Sequence, residues 1–449
     1  MIFSTSLPRF KTFLGHAQLK ASDWTCCLLF LSTFILPTAR RSVAAAARSI
    51  SSDLRDAGWL LRWLGCSSAP AALLAAAQHQ LQVAARTHAD RLHLLLLDST
   101  QHGQQGQHTQ NTFARGNTQP RPRQSQRHQK SVHRRSCHCF VFALLLTPCG
   151  LRIPYWLPFY TQQHCTLFGR VHQSQASLAA QLIERVALPP TSRVVVVADT
   201  TFEAKQVRRA CARRGWSWVL PLNPERRLAG PAPRPQVRSL YEQLTVSAFQ
   251  QVSFRLDQGA LANLARVSPK RSKSRKHSRT YWVHHRIAAV HNVGTVALLF
   301  STKQAPTPGK VKVQKVLISN ALEATPHELL RWYALRWQIE LFFKAMKSEL
   351  GMCAYKLGLF QRVEGWVQLC VVAYCYLEWY RWQQQQQARG PDKAFWQRLR
   401  SAGLKEKVRQ QAQRTDIDTL LRLAHSRVGQ QRLSELLHKM GEDPAACAA

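Results

Sequence analysis

Acidic residues are scarce in this chain of 449 residues, which has 24 Asp and Glu against 62 Lys and Arg and a formal net charge of +38 at pH 7. An excess of this size argues against an enzyme of neutral metabolites. It favours a polyanionic partner, because each Lys or Arg that meets a phosphate releases a condensed counterion. A ribosomal or other structural basic protein has a similar charge balance, so both classes stay open. The 13 Trp, 18 Phe and 45% hydrophobic residues favour packed cores over wholesale disorder.

Long hydrophobic runs and a regular cysteine framework are also missing. The longest early apolar run, residues 24–36, includes Ser32 and Thr33. It is too short to span a bilayer and is typical of a buried helix. The 12 Cys have no regular spacing, which indicates reduced thiols in an intracellular protein. We therefore predict a cytoplasmic protein with no membrane partner.

A cluster of cysteine and histidine residues leaves a zinc site open as one interpretation. Its members are Cys137, His138, Cys139, Cys149, His164 and Cys165. No Cys-x-x-Cys pair occurs among them, although that spacing is typical of zinc sites. Cys137 and Cys139 would share one face of a strand, which favours small buried core residues instead.

Changes in composition divide the chain into five regions. Apolar runs that alternate with helical patterns between residues 92 and 220 predict a mixed α/β sheet. A tract rich in Gln, His and Arg predicts a solvated loop at residues 101–135. The predicted regions are a helical N-terminal region (1–90), the first part of the α/β core (91–222), a β-rich insertion (223–324), the helices that complete the core (325–382) and a helical C-terminal region (383–449).

The N-terminal region has the signals of a helix-turn-helix. Thr38 and Ser52 could cap two successive helices, and Arg40, Arg41 and Arg48 would then be available for phosphate contacts. Any two capped helices have these signals, so a DNA-binding role and a purely structural role both stay open.

The positions of the few carboxylates are informative. No acidic residue occurs between Asp98 and Glu184, and none occurs between Asp257 and Glu323. Asp98 and Asp199 each end a buried apolar run, so we predict both at the carboxyl edge of the sheet, where α/β folds bind ligands. The structural alternative is that each caps the following turn, as Asp residues commonly do at strand ends.

A third carboxylate lies on a predicted helix that begins near Pro326. Tyr333, Arg336, Glu340 and Lys347 share one helix face about 60° wide at 3.6 residues per turn. The neighbouring face is apolar and can pack on the sheet. An Arg–Glu pair at i,i+4 is the structural alternative, and it requires neither Tyr333 nor Lys347.

The spacing Tyr-x2-Arg-x3-Glu-x6-Lys at residues 333–347 resembles the signature of a branch of bacterial insertion-sequence transposases with an RNase H-like DDE domain. The segments that end at Asp98 and Asp199 resemble those around the first two catalytic aspartates of that family. The resemblance covers residues 90–380. It implies a mixed α/β protein whose RNase H-like catalytic core carries a β-rich insertion and is flanked by helical N- and C-terminal regions.

The resemblance also implies a site and its partners. Asp98, Asp199 and Glu340 would form a catalytic triad that binds two Mg²⁺ ions, for which Mn²⁺ can substitute. Tyr333, Arg336 and Lys347 would contact DNA phosphates near the cleaved bond. The partners would be double-stranded DNA of the transposon ends and of the target, bound by a homodimer in the synaptic complex at the nucleoid.

Two further features could contact DNA. The basic run that starts with Lys270, Arg271 and Lys273 is either a phosphate clamp or a solvated loop. Trp282, Trp332 and Trp337 could stack on an unpaired base, although most tryptophans are core residues. Two rival functions remain: a catalytically inactive or repurposed DNA-binding protein of the same fold, and a nuclease that cuts without joining.

Overall fold

The computed structural model describes residues 9–14, 17–35, 42–48, 55–86, 91–104, 109–115, 135–255, 278–307, 312–424 and 431. Several predicted features lie outside these residues. They are the capping candidates Thr38 and Ser52, the arginines Arg40 and Arg41, the side chain of Arg48, most of the loop at 101–135, and the basic residues Lys270, Arg271 and Lys273.

In the described residues the strands are β1 (Leu92–Gln104), β2 (Phe113–Arg115), β3 (Arg135–Leu146), β4 (Arg152–Pro158), β5 (Arg193–Ala198), β6 (Ser217–Pro221), β7 (Gln250–Arg255), β8 (Ser278–Val290), β9 (Gly294–Thr302) and β10 (Lys315–Ser319). The helices are α1 (Phe10–Leu14), α2 (Ala21–Ile35), α3 (Val43–Arg48), α4 (Arg55–Cys66), α5 (Ala69–Ala85), α6 (Gln162–Leu167), α7 (Gln175–Arg185), α8 (Lys205–Arg213), α9 (Val237–Glu242), α10 (Pro326–Leu335), α11 (Trp337–Lys344), α12 (Phe360–Gln387), α13 (Gly390–Arg398) and α14 (Ser401–Ala424).

The described strands form one mixed sheet whose core has the order β4-β3-β1-β5-β6. β4, β3 and β1 pair antiparallel, whereas β1, β5 and β6 run parallel. The Val-rich β5 is buried along five of its six residues, as expected for a central parallel strand. The predicted mixed α/β fold is confirmed.

β1 differs from its prediction, because it does not end at Asp98. Its antiparallel partner β3 continues beside it from Asp98↔Phe142 to Gln104↔Ser136. Its parallel partner β5 stops at Ala198, so β1 loses one neighbour at the position of Asp98. The prediction of a strand end there was wrong, because the antiparallel partner lies in a part of the chain that the local pattern does not report.

The β-rich insertion extends the core sheet. β10 pairs antiparallel with β6, and β9, β8 and β7 follow in order. The predicted strands at 293–301 and 311–318 correspond to β9 and β10. Within the sheet, the insertion therefore joins the core through one strand pair, β10 with β6.

The helix that carries Glu340 is less regular than its sequence pattern predicts. It begins at Pro326 with a capping box between Thr325 and Glu328. A turn at Arg336 separates α10 from α11, and residues Ala345–Glu349 form a wider π-helical turn. The prediction of one regular helix to Lys347 was therefore wrong.

α12 is the central helix of the helical layer. Most of its 28 residues are buried, and it packs against α2, α4 and α5. Its buried Glu378 binds Arg381 at 2.6 Å, and Arg381 donates to the Gly150 carbonyl in the turn between β3 and β4, also at 2.6 Å. The N-terminal helices and the sheet share one hydrophobic cluster through this helix.

The apolar run at residues 24–36 lies largely in α2, whose second half is buried, as predicted. Across the described part of the chain, no single helix is long and apolar enough to cross a membrane. The bent pair Ala57–Cys66 and Ala69–Ala85 meets that criterion by length and composition alone.

The contact between α4 and α12 gives a first prediction. A Cβ atom on Gly365 would lie 2.5 Å from the Leu64 carbonyl oxygen, so Gly365→Ala should destabilise the protein by about 1–3 kcal/mol through overpacking. Gly58→Ala, on α4, is the control, because its nearest contact is the flexible end of Arg62 at 3.8 Å. The control should be neutral or stabilising by up to about 1 kcal/mol, since Ala favours helix over Gly. Equal urea midpoints for the two variants would contradict this close approach.

Candidate active site

Asp98 and Asp199 lie level with each other on neighbouring parallel strands. The last parallel pair between β1 and β5 is Leu97↔Ala198, so the next residue on each strand is an aspartate. Neighbouring strands are about 4.8 Å apart, and residues that are level point to the same face of the sheet. The register therefore brings these two carboxylates together where β5 ends, although β1 continues past Asp98.

Each aspartate is anchored locally through one carboxylate oxygen. Oδ1 of Asp98 accepts from the Ser99 backbone N–H at 2.8 Å, and Oδ1 of Asp199 accepts from the Thr201 N–H at 3.0 Å. The capping interpretation is thus correct for Asp199, which caps the turn at Thr200–Phe202. It is wrong for Asp98, because β1 continues past this residue and no turn follows it. Neither hydrogen bond competes with a functional role, because each fixes one carboxylate oxygen and leaves the second for other ligands.

Arg336 brings the third carboxylate to the sheet. Its Nη1 lies 3.2 Å from Oδ2 of Asp98, and its Nη2 lies 2.7 Å from Oε1 of Glu340. The i,i+4 pair proposed as a structural alternative is therefore present. The same guanidinium also reaches a residue 238 positions away, so it joins the helix to β1.

Burial and charge act together on this cluster. Burial, followed by the neighbouring Asp199 carboxylate, raises the pKa of Asp98 from 3.8 to about 6, although the Ser99 N–H and Arg336 oppose the shift. Burial lowers the pKa of Arg336, but Tyr333 and the three carboxylates more than offset it and raise this pKa above its ordinary value. Three carboxyl groups therefore share one permanent cation, and the cluster can bind further positive charge.

Tyr333 and Lys347 lie on either side of Arg336 in the chain and bind different parts of the sheet. The Lys347 ammonium donates to the Gln101 carbonyl oxygen on β1 at 3.1 Å. The Tyr333 hydroxyl accepts from Nζ of Lys315 on β10 at 2.8 Å. The sequence analysis missed Lys315, because a single lysine before an apolar strand carries no local signal.

The three tryptophans considered for base stacking have different surroundings. Trp332 is 7% exposed and belongs to the core, so it is unavailable for stacking. Trp282 is half-buried on β8. Trp337 is 52% exposed on the first turn of α11 and lies next to Arg336 in the chain.

The donor chemistry of the cluster fits a hard divalent cation, because Asp98, Asp199 and Glu340 offer carboxylate oxygens. As the side chains stand, no three His, Cys, Asp or Glu of the described residues are grouped closely enough to hold a metal ion. Arg336 contacts two of the three carboxylates and supplies positive charge there.

The zinc interpretation gains nothing from the structure. Cys137 and Cys139 are 4% and 0% exposed on β3, as expected for core residues. The two ring nitrogens of His138 lie 2.8 Å from the Tyr355 hydroxyl and 2.8 Å from the Gln110 carbonyl oxygen. Its hydrogen-bonding capacity is therefore used within the fold.

A family model matches more than half of the chain. Residues 93–376 match the family model described as the transposase DDE domain, a span that includes Asp98, Asp199 and Glu340. Among solved structures, the cryo-EM structure of the piggyBac transposase synaptic complex with hairpin DNA is similar, with a TM-score of 0.46 and 9% identity. That match covers 99% of this chain and 85% of the piggyBac chain. No curated protein sequence matches the chain.

The raised pKa of Asp98 predicts a pH-dependent stability. Because the folded state binds this proton more tightly than the unfolded state, the contribution of Asp98 to the stability of the protein should fall as the pH rises from about 4 to about 6. The Asp98→Asn variant lacks this titrating group. The free energy of unfolding of the variant minus that of wild type should therefore increase by up to about 3 kcal/mol over that pH window. Chemical unfolding in chelator-treated buffer across the pH range measures this difference.

The control for this experiment is Asp392→Asn, on the exposed face of α13, which also removes one negative charge from the basic chain. If the two variants follow the same pH dependence relative to wild type, the surroundings of Asp98 do not shift its titration.

Proposed function

The chain belongs to the transposase DDE domain family, and on that premise we propose that it is the transposase of a bacterial insertion sequence. It would cut the ends of its element and join them to target DNA. The main support is the carboxylate cluster, which a chain of net charge +38 assembles at one sheet edge from three distant segments. The partners would be double-stranded DNA and a second copy of the chain in a synaptic complex at the nucleoid.

Asp98, Asp199 and Glu340 would hold the divalent cations. Two such cations, when bound, would activate the attacking oxygen and neutralise the leaving oxygen of an in-line substitution at phosphorus. Mg²⁺ is the proposed ion and Mn²⁺ a substitute, because both accept oxygen ligands. Water and then a freed 3′-hydroxyl could attack in the same site, which would account for both cutting and joining.

Arg336 has two roles in this proposal. Without DNA it compensates Asp98 and Glu340, and with DNA its two-pronged guanidinium can bind phosphate oxygens in the same way. Lys347 would hold a backbone phosphate beside the β1 strand, and the Tyr333 hydroxyl would orient a phosphate near Arg336.

The remaining regions have proposed roles in assembly. The N-terminal helices would bind the transposon ends, and the C-terminal helices α13 and α14 would support the homodimer. The basic run that begins with Lys270 follows β7, which extends the sheet that carries the catalytic aspartates. A role as a phosphate clamp stays a prediction for that run.

The triad is tested by amide substitutions. Asp98→Asn, Asp199→Asn and Glu340→Gln should each abolish metal-dependent cleavage while DNA binding survives, because an amide keeps the shape but loses the charge that the cations need. Cleavage and joining are measured on a plasmid that carries the DNA flanking the gene. Glu184→Gln is the control, since Glu184 pairs with Arg213 on the surface. Activity within roughly tenfold of wild type for any triad variant would remove that residue from the triad.

The wild-type products distinguish the rival functions. Cut DNA without joined products would indicate a nuclease. Binding without any cleavage in Mg²⁺ or Mn²⁺ would indicate a DNA-binding protein that has lost its activity.

Arg336 and Lys347 should affect cutting more than binding. Arg336→Ala or Lys347→Ala should reduce cleavage by about 10²-fold if the phosphate contact strengthens in the transition state. Each should lower the salt slope of binding by at most about one charge. Lys344→Ala, at an exposed position of the same helix, is the control for removing one cation.

Two results would contradict these assignments. A proportional loss of binding and cleavage in Lys347→Ala would make Lys347 a general phosphate contact. Unfolding of Arg336→Ala would show that the contacts of Arg336 with Asp98 and Glu340 are structural.

A further inference from the structure

Two lysines, Lys347 and Lys315, lie beside the carboxylate cluster. Lys347 donates to a backbone carbonyl at 3.1 Å, and Lys315 donates to the phenol of Tyr333 at 2.8 Å. Neither lies within ion-pair distance of a carboxylate in the part of the chain that the structure describes. Arg336, by contrast, contacts two carboxylates. The uncompensated positive charge therefore flanks the cluster and does not lie within it.

The sheet register places Lys315 at the catalytic edge. Val197 on β5 is level with Val219 on β6, so Asp199 is level with Pro221, which pairs with Leu317 on β10. Lys315 precedes Leu317 by two residues and therefore lies about 7 Å further out on the same edge and the same face. In sheet order β10 is two strands from β5, about 10 Å.

The ammonium of Lys315 is held in place by the helix above it. Its Nζ lies 4.5 Å from the centroid of the Tyr333 ring, in addition to the hydrogen bond to the hydroxyl. Tyr333 precedes Arg336 by three residues, so both side chains face the same side of the helix. A lysine ammonium has three donors, and one serves the phenol. Because Lys315 is exposed, its other donors are open to an anion.

We propose that Lys315 and the Tyr333 hydroxyl form a phosphate-binding subsite for the DNA strand, on the side of Asp199 that lies away from β1. This inference rests on the proposed function, because it assigns the anion to the DNA backbone. Lys347 is bound to β1 and Lys315 lies on β10. A DNA strand that crosses the three carboxylates would therefore meet, on each side, one lysine that forms no ion pair with a described carboxylate. Lys315 is not one of the four residues in the Tyr-x2-Arg-x3-Glu-x6-Lys spacing at 333–347, so it would add a phosphate contact to those that this spacing predicts.

Binding of a short duplex by a Glu340→Gln chain, which does not need to cut, tests the subsite. Fluorescence anisotropy across a salt series should show that Lys315→Ala lowers the salt slope by about one charge. Lys315→Arg should keep the slope because it keeps the charge. Lys393→Ala, an exposed lysine of α13, controls for the loss of one cation and should change the slope less. Thermal unfolding of each variant verifies that the fold is intact.

A duplex with one strand of neutral methylphosphonates identifies the group that Lys315 binds. The difference in the salt slope of binding between the Lys315→Ala chain and its Glu340→Gln parent should disappear when the contacted DNA strand is neutral. If the difference persists with either strand neutral, Lys315 binds a base or a sugar and the subsite is wrong. Tyr333→Phe should reduce binding in the parent and have little further effect in Lys315→Ala, because the two groups act together.

The outcomes separate this inference from the proposed function. A salt slope unchanged by Lys315→Ala, or changed equally by Lys393→Ala, would overturn the subsite even if the wild-type chain cuts and joins DNA. A wild-type chain that never cuts DNA would overturn the proposed function, while a specific loss of slope in Lys315→Ala would still support the phosphate subsite.

Discussion

The contact of one guanidinium with two carboxylates is the interaction on which the rest of the site depends. Partly buried carboxylates repel one another strongly in a medium of low dielectric constant, so a cluster of three needs compensating charge. Arg336 supplies it between Asp98 and Glu340 and thereby fixes α11 on β1. A single positive charge cannot neutralise three carboxylates. Burial, together with this imbalance of charge, raises the pKa of Asp98.

Sequence reasoning succeeded where a short pattern determines the structure. Aliphatic runs located the central strands, and the position of an aspartate after each run located two of the three carboxylates. It failed where the determinant is distant in the chain. The continuation of β1 past Asp98 depends on β3, and the contact between Lys315 and Tyr333 depends on the pairing of β10 with β6. The π-helical turn at Ala345–Glu349 also escaped prediction, because regular periodicity assumes 3.6 residues per turn.

The strong excess of positive charge places a particular demand on the core. Self-repulsion of a chain with a net charge of +38 destabilises the compact state. The structure opposes it with one continuous hydrophobic cluster that extends from the N-terminal helices through α12 to the sheet. The tight contact of Gly365 with Leu64 and the buried pair of Glu378 and Arg381 lie at the two ends of that helix. Nucleic acid would relieve the same repulsion when it binds.

The pairing of β10 with β6 has a consequence for how segments could be exchanged between related proteins. The predicted insertion at 223–324 looks like a cassette with both ends in loops. In the structure its last strand is hydrogen-bonded to the core on one side and to β9 on the other. A chimera cut at 223 and 324 would therefore remove an interior strand and expose the unpaired edge of β6, which invites aggregation. A segment exchanged between related proteins must therefore supply its own strand beside β6, and Lys315 leaves the host with β10.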